Sequence, residues 1–142
     1  RFWNPETKIP CSAGPFGELV AVDVNRGEIA WKVPIGFFES LKAKGFGNTG
    51  TLNIGGSIAT AGGVLFIGAT IDCRFRAFES KTGKQLWETA LPACAHTTPM
   101  TFLGKDGRQY VVVAAGGGSF LGAQPGSNIL AFALPRATPS GP

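Results

Sequence analysis

The sequence holds one histidine, one methionine, one tyrosine and three cysteines in 142 residues. Cys11, Cys73 and Cys94 lie far apart, so the paired Cys-x-x-Cys spacing of a zinc site is absent. An odd count allows at most one internal disulfide. Charge is also scarce, at 15% of residues, and the Lys and Arg behind the net +4 are scattered. They form no clustered patch of the kind that holds a phosphate backbone, so no nucleic-acid partner is expected. No apolar run reaches the ~18 residues that suggest a membrane span, and no charged segment followed by an apolar one opens the chain. The chain begins at Arg1 in loop-like sequence without an initiator Met, which reads as a mature product or a piece of something longer.

Glycine and proline are abundant. Twenty-one Gly and ten Pro, with 44% hydrophobic residues, are too many breakers for helical layers and suit many tight turns. The expected class is all-β. A chain of this length can bury about 68–70% of its extended surface when compact, so a sizeable core is available to it.

Residues 1–17, with Pro5, Pro10 and Pro15, read as a loop. Leu19–Val24 and Glu28–Pro34 read as a hairpin around Asn25-Arg26-Gly27. Residues 36–53 have no strand character. Their Phe37, Phe38 and Phe46 argue for an ordered and functional loop rather than a disordered one. Strands are then expected at Ser57–Ala61, Val64–Thr70, Phe75–Glu79 and Gln85–Leu91, and again at Pro99–Phe102, Gln109–Ala115 and Asn128–Leu134.

The pattern repeats. Ala21, Gly27 and Trp31 recur as Ala77, Gly83 and Trp87, with acidic Asp23 matched by Glu79, while a third copy keeps only Ala131 and Phe132. A fixed period with several strands per unit signals a β-propeller or related array. The organisation expected is the end of one blade (1–35), a long loop (36–56), a complete four-stranded blade (57–91), three strands of a last blade (98–134) and a tail (135–142). In each hairpin Gly supplies a positive-φ turn, and the Trp four residues on lands on the outer strand, where it can cover the seam to a neighbouring blade.

Strand parity then places the loops. In a four-stranded antiparallel blade, the loop entering the first strand and the loop joining the second to the third lie at one face. That puts Asn53, Asp72, His96, all three cysteines and Gly116–Phe120 together. A Cys73–Cys94 disulfide is one expectation there, with Cys11–Cys94 and three reduced thiols as alternatives. His96 reads as structural before catalytic. Asp72 with Arg74 and Arg76 reads as a solvated or strand-bracing charge set, and Gly116-Gly117-Gly118 as a flexible turn rather than a phosphate cradle, because no helix follows it.

Leu52-Asn53-Ile54-Gly55-Gly56, Thr60-Ala61-Gly62-Gly63-Val64-Leu65-Phe66-Ile67, Leu86-Trp87, Thr98-Pro99-Met100-Thr101-Phe102 and Gln109 through Gly117 together carry a resemblance. The chain resembles the C-terminal part of the PQQ-dependent (quinoprotein) dehydrogenases, in the membrane-bound glucose, quinate and polyol branch. The resemblance implies two to three blades of an eight-bladed propeller with tryptophan-docking motifs, the last blade being completed by a strand from the N-terminal end of the parent. It implies PQQ and calcium as cofactors of the full-length protein, a sugar or alcohol substrate and ubiquinone as acceptor. It also implies a periplasmic location, with an inner-membrane anchor on the parent left open.

In that family the loop matching Asn53, Ile54, Gly55 and Gly56 approaches the cofactor, and the alcohol branch has Trp where Ile54 stands. The catalytic Asp base and the metal carboxylates lie upstream, so no catalytic or metal residue is expected in this segment, and alone it should be inactive. Cys94-Ala95-His96 departs from the Gly-Gly-Gln turn of the glucose branch. A PQQ-like repeat propeller serving as a scaffold or binding module is the alternative reading. Open blade edges should in either case favour self-association or capture of the missing blades.

Overall fold

The computed structural model describes residues 3–7, 9–118 and 123–136. Nine strands form three antiparallel sheets in sequence order: β1 (Glu18–Asp23) with β2 (Glu28–Pro34); β3 (Ser57–Ala59), β4 (Val64–Ile67), β5 (Arg74–Glu79) and β6 (Gln85–Ala90); and β7 (Met100–Leu103), β8 (Gln109–Ala115) and β9 (Asn128–Phe132). The expected strands are all present, several of them a few residues shorter. The tail beyond Arg136 lies outside the described residues.

The repeat extends to backbone detail. The β1–β2 ladder slips between Ala21 and Val22, and the β5–β6 ladder slips at the matching place, between Ala77 and Phe78. A bulge increases local twist, and both hairpins then close on a Gly at positive φ, +67° for Gly27 and +71° for Gly83. The amide of each Gly donates to the carbonyl of the matching acidic residue, Gly27 to Asp23 at 2.8 Å and Gly83 to Glu79 at 2.9 Å.

Two cores lie between the sheets. Ile35, Ile67, Ala69 and Phe78 join the first sheet to the second. Phe75, Leu91, Ala93, Ala95, Val111, Val113 and Ala115 join the second to the third. Phe75 is fully buried, with ring centroids 5.5 Å from Phe132, 6.0 Å from Phe66 and 6.2 Å from Trp87. The other repeat tryptophan, Trp31, reaches from β2 to the next sheet, where its indole N–H donates to the Ser80 carbonyl at 3.0 Å. A Cβ at Gly83 would lie 2.6 Å from that ring, so Gly83 answers to space as well as to φ.

The long loop holds one unexpected element, the short helix α1 (Glu39–Lys42). Phe37 and Phe38 on its N-terminal side are buried, and Phe38 packs edge-on against Phe16 at 5.8 Å. Their burial accounts for an ordered loop without strand periodicity.

Candidate functional site

One end of the second sheet gathers four loops. Asn53 forms an isolated antiparallel bridge with Thr70, and the Ile54 amide donates to the Ala69 carbonyl at 2.8 Å. These bonds continue the pairing past the end of β4 at Ile67, so the 53–56 loop is held by backbone. Gly55, at φ +140°, runs so close to the next loop that a Cβ there would lie 3.2 Å from the His96 carbonyl carbon. A Cβ on Gly56 would fall 2.1 Å from the Thr98 hydroxyl. Both glycines are thus demanded by packing. Asn53 and Ile54, the latter 37% exposed, are among the side chains left exposed at this end, with Thr97 and Thr98 of the next loop.

The second loop carries a buried charge cluster. Asp72 and Arg76 are ion-paired, with side chains 0% and 3% exposed. Arg76 also donates to Thr70 Oγ1 at 2.9 Å and pairs with Glu88 at 2.8 Å, while Thr70 Oγ1 donates to Asp72 at 2.6 Å. Asp72, Arg76 and Thr70 thus satisfy one another, as a buried ion pair requires, whereas the neighbouring Arg74 pairs with Glu88 at 3.0 Å but leaves its Nε without a partner among the described residues. Asp72 Oδ2 also accepts from the Phe37 amide at 3.2 Å, tying the long loop to the β4–β5 loop. For Asp72 and Arg76 strand bracing stands and solvation does not, because the tertiary fold closes over them, while Arg74 of the same set stays partly exposed. Thr70, fully buried, joins this cluster with no motif to mark it; the run of small residues Gly68-Ala69-Thr70 is the available signal for a tight approach.

Cys73 and Cys94 form a disulfide, and Cys11 is a free, exposed cysteine. The Cys11–Cys94 and fully reduced alternatives are therefore excluded. The segment that carries Cys11 instead runs beside the long loop, where Phe16 N donates to the Thr49 carbonyl at 2.9 Å. There Ile9, Pro15, Phe16, Leu41 and Phe46 line an apolar cleft of about 500 Å³.

His96 Nδ1 lies 3.3 Å from the Ile54 carbonyl oxygen. A carbonyl only accepts, so this partner assigns the proton to Nδ1. Nε2 is enclosed with no hydrogen-bond partner among the described residues. The fourth loop closes tightly. Gly117 N donates to the Cys94 carbonyl at 2.8 Å and Gly118 N to the Gln124 carbonyl at 3.2 Å, so neither amide is free for an anion. Ser119 and Phe120 of the expected run lie outside the described residues.

The described residues at this end can bind and position a ligand. They offer an exposed amide, an apolar side chain and rigid backbone. Among the described residues no group of three or more His, Cys, Asp and Glu side chains is placed to hold a metal ion.

Comparison with known proteins bears on the whole chain. Residues 1–111 match the family model for the glucose/ethanol/alcohol dehydrogenase β-propeller domain, PQQ. The quinate/shikimate dehydrogenase (quinone) of Acinetobacter baylyi is 40% identical over 134 residues, covering 90% of this chain and 16% of that protein. The quinoprotein glucose dehydrogenase of Escherichia coli is 41% identical over 133 residues, covering 89% and 16%. The chain thus spans about a sixth of the length of these relatives. A solved quinohemoprotein alcohol dehydrogenase from Pseudomonas putida HK5 superposes with a TM-score of 0.62 at 31% identity, over 80% of this chain and 16% of that one. A europium-containing methanol dehydrogenase gives 0.58 at 32%, over 73% and 16%. With sheets, repeat and sequence in agreement, the chain belongs to the PQQ glucose/ethanol/alcohol dehydrogenase β-propeller family.

Proposed function

We propose that this chain is the C-terminal propeller segment of a periplasmic quinoprotein dehydrogenase that oxidises a sugar, polyol or cyclic alcohol with PQQ and passes the electrons to ubiquinone. The observation that carries this reading is the convergence of four loops at one end, with Asn53 and Ile54 exposed over it, in a chain of this family. Relatives named for quinate, glucose and glycerol support a small polyhydroxylated substrate. The word quinone in the first of those names supports a quinone acceptor. The Cys73–Cys94 disulfide supports an oxidising compartment such as the periplasm. Among the described residues no helix is long and apolar enough to cross a membrane, so an inner-membrane anchor is assigned to none of them.

The exposed pair fits the rim of a flat, oxygen-edged cofactor. Asn53, whose Nδ2 also donates to the Thr51 carbonyl at 3.4 Å, offers its remaining amide N–H to a cofactor oxygen and Ile54 an apolar contact, while Gly55 and Gly56 set the backbone that presents them. PQQ, when bound, supplies the two-electron acceptor for the oxidation. Among the described residues calcium finds no fit. Asp72, the carboxylate at this end, is committed to Arg76, Thr70 and the Phe37 amide. The segment alone is accordingly inactive.

It also exposes surfaces that other blades of the parent, or a second copy, would cover. Ile129 on the last sheet is 78% exposed, Leu134 just past its final strand 85%, and Val22 on the first sheet 56%. The isolated segment therefore self-associates, and a monomeric sedimentation profile at high concentration would count against that. The functional test is reconstitution of the full-length parent with PQQ and calcium. Cofactor binding with substrate-dependent dye reduction is expected. A parent that folds but neither binds PQQ nor reduces dye would instead be a scaffold propeller.

A further inference from the structure

We propose that the Cys73–Cys94 disulfide is a thiol-sensitive positioning brace for the Asn53–Gly56 loop. Oxidised, it holds residues 92–98 where they seat that loop; reduced, it releases them while the sheets stay folded. That the seated loop faces a cofactor rests on the proposed function; the brace itself does not.

The bond sits where the ladder has ended. β5 and β6 are already joined by pairs running out to Arg74 and Ala90, and Leu91 N donates to the Cys73 carbonyl at 2.8 Å. A cross-link at the next step adds little to the hairpin. What it directs is the chain leaving β6, which has no strand ladder of its own until Met100.

That stretch touches every loop of the site. The Cys94 carbonyl accepts from Gly117 N at 2.8 Å. Ala95 fills the space that a Cβ on Gly68 would enter, 2.8 Å away. His96 Nδ1 meets the Ile54 carbonyl, and Thr98 closes on Gly56. Cys94 and Ala95 are 1% and 0% exposed, so moving either displaces its neighbours. Cys73 sits at φ +53°, a left-handed conformation that a residue with a Cβ holds only when its surroundings impose it. Opening the bond removes one of those impositions.

Cys73 is the less buried partner, and the attack is assigned to its sulfur. A dithiol reductant supplies the chemistry. One of its thiolates attacks the Cys73 sulfur and the Cys94 thiolate leaves; the second thiol then closes the reductant's own disulfide and releases Cys73. Two electrons and two protons pass to the protein as two thiols. Reoxidation reverses the balance.

The test is amide hydrogen exchange on the full chain in a Cys11→Ser background, oxidised and after dithiothreitol, with Cys94→Ala as a second route to the opened state. The expected result is that the amides of Ile54 and Gly117 exchange about tenfold faster or more on opening, while those of β4 and β5 do not change. Unchanged exchange at Ile54 and Gly117 overturns the proposal. Equal acceleration through β4 and β5 also overturns it, because the bond would then be an ordinary stability cross-link. In the full-length parent, PQQ titration should show affinity falling about tenfold on reduction and returning on reoxidation. Loop-selective exchange with no PQQ binding in either state would keep the brace and overturn the functional reading.

Discussion

The Nδ1 of His96 and the carbonyl oxygen of Ile54 lie 3.3 Å apart across 42 residues of sequence. This contact ties the loop that enters one sheet to the loop that enters the next. It also gives the only histidine a structural partner. Replacing it with Ala removes one partly solvated hydrogen bond, and the expected cost is about 1 kcal/mol in urea unfolding. No change in the midpoint would mean that the contact contributes nothing to stability.

Asp72→Ala should be far more costly. It would leave the guanidinium of Arg76, whose side chain is 3% exposed, with Glu88 as its one remaining carboxylate among the described residues. Breaking a buried pair from one side costs about 3–5 kcal/mol, with Glu88 and Thr70 holding the loss toward the lower end. A variant that melts within experimental error of the parent would show that the cluster is not closed to solvent.

Two turn glycines separate strain from space. Gly27 and Gly83 have nearly the same φ, +67° and +71°, but a Cβ on Gly27 meets nothing within 4 Å, whereas one on Gly83 strikes the Trp31 ring. Gly27→Ala should cost the backbone penalty alone, about 1–2 kcal/mol, and Gly83→Ala clearly more. Equal losses in parallel denaturation curves would show that Trp31 does not rest on the turn.

Asp106, in the β7–β8 turn, gives a pH prediction. Desolvation pushes its carboxyl up, but hydrogen bonds from the Tyr110 hydroxyl at 2.9 Å and the Arg108 amide at 3.2 Å, with the Arg108 charge, outweigh that and leave it below the ordinary value. A depressed folded value means that the stabilisation is fully present above the ordinary carboxylate pKa of about 3.9 and is lost as pH falls through the lower folded value. Titration of the Asp106 carboxyl by carbon NMR should show a midpoint below about 3.9. A midpoint at or above it would contradict the assignment.

The strands were legible because their signals are local. Alternating β-formers, Gly turns and the recurrence of Ala21, Gly27 and Trp31 as Ala77, Gly83 and Trp87 act within a few residues, and the matching bulges show that the same local pattern gives the same backbone. The short helix at Glu39–Lys42 was not legible. Four residues carry no periodicity, and what holds them is the burial of Phe37 and Phe38 next to them.

At the candidate site, strand parity alone brought Asn53, Asp72, Cys73, Cys94, His96 and Gly117 to one end, since antiparallel strands must return their alternate loops to the same side. Parity does not choose among contacts. Which two cysteines pair, that Asp72 and Arg76 are enclosed, and that Gly55 and Gly56 answer to His96 and Thr98 depend on how neighbouring sheets pack. The sequence by itself determined the order of the strands and the end at which their loops gather. Only the tertiary structure decided which of the gathered side chains are buried against one another and which, like Asn53 and Ile54, stay exposed, because burial is a property of surfaces that meet and not of the segments that carry them.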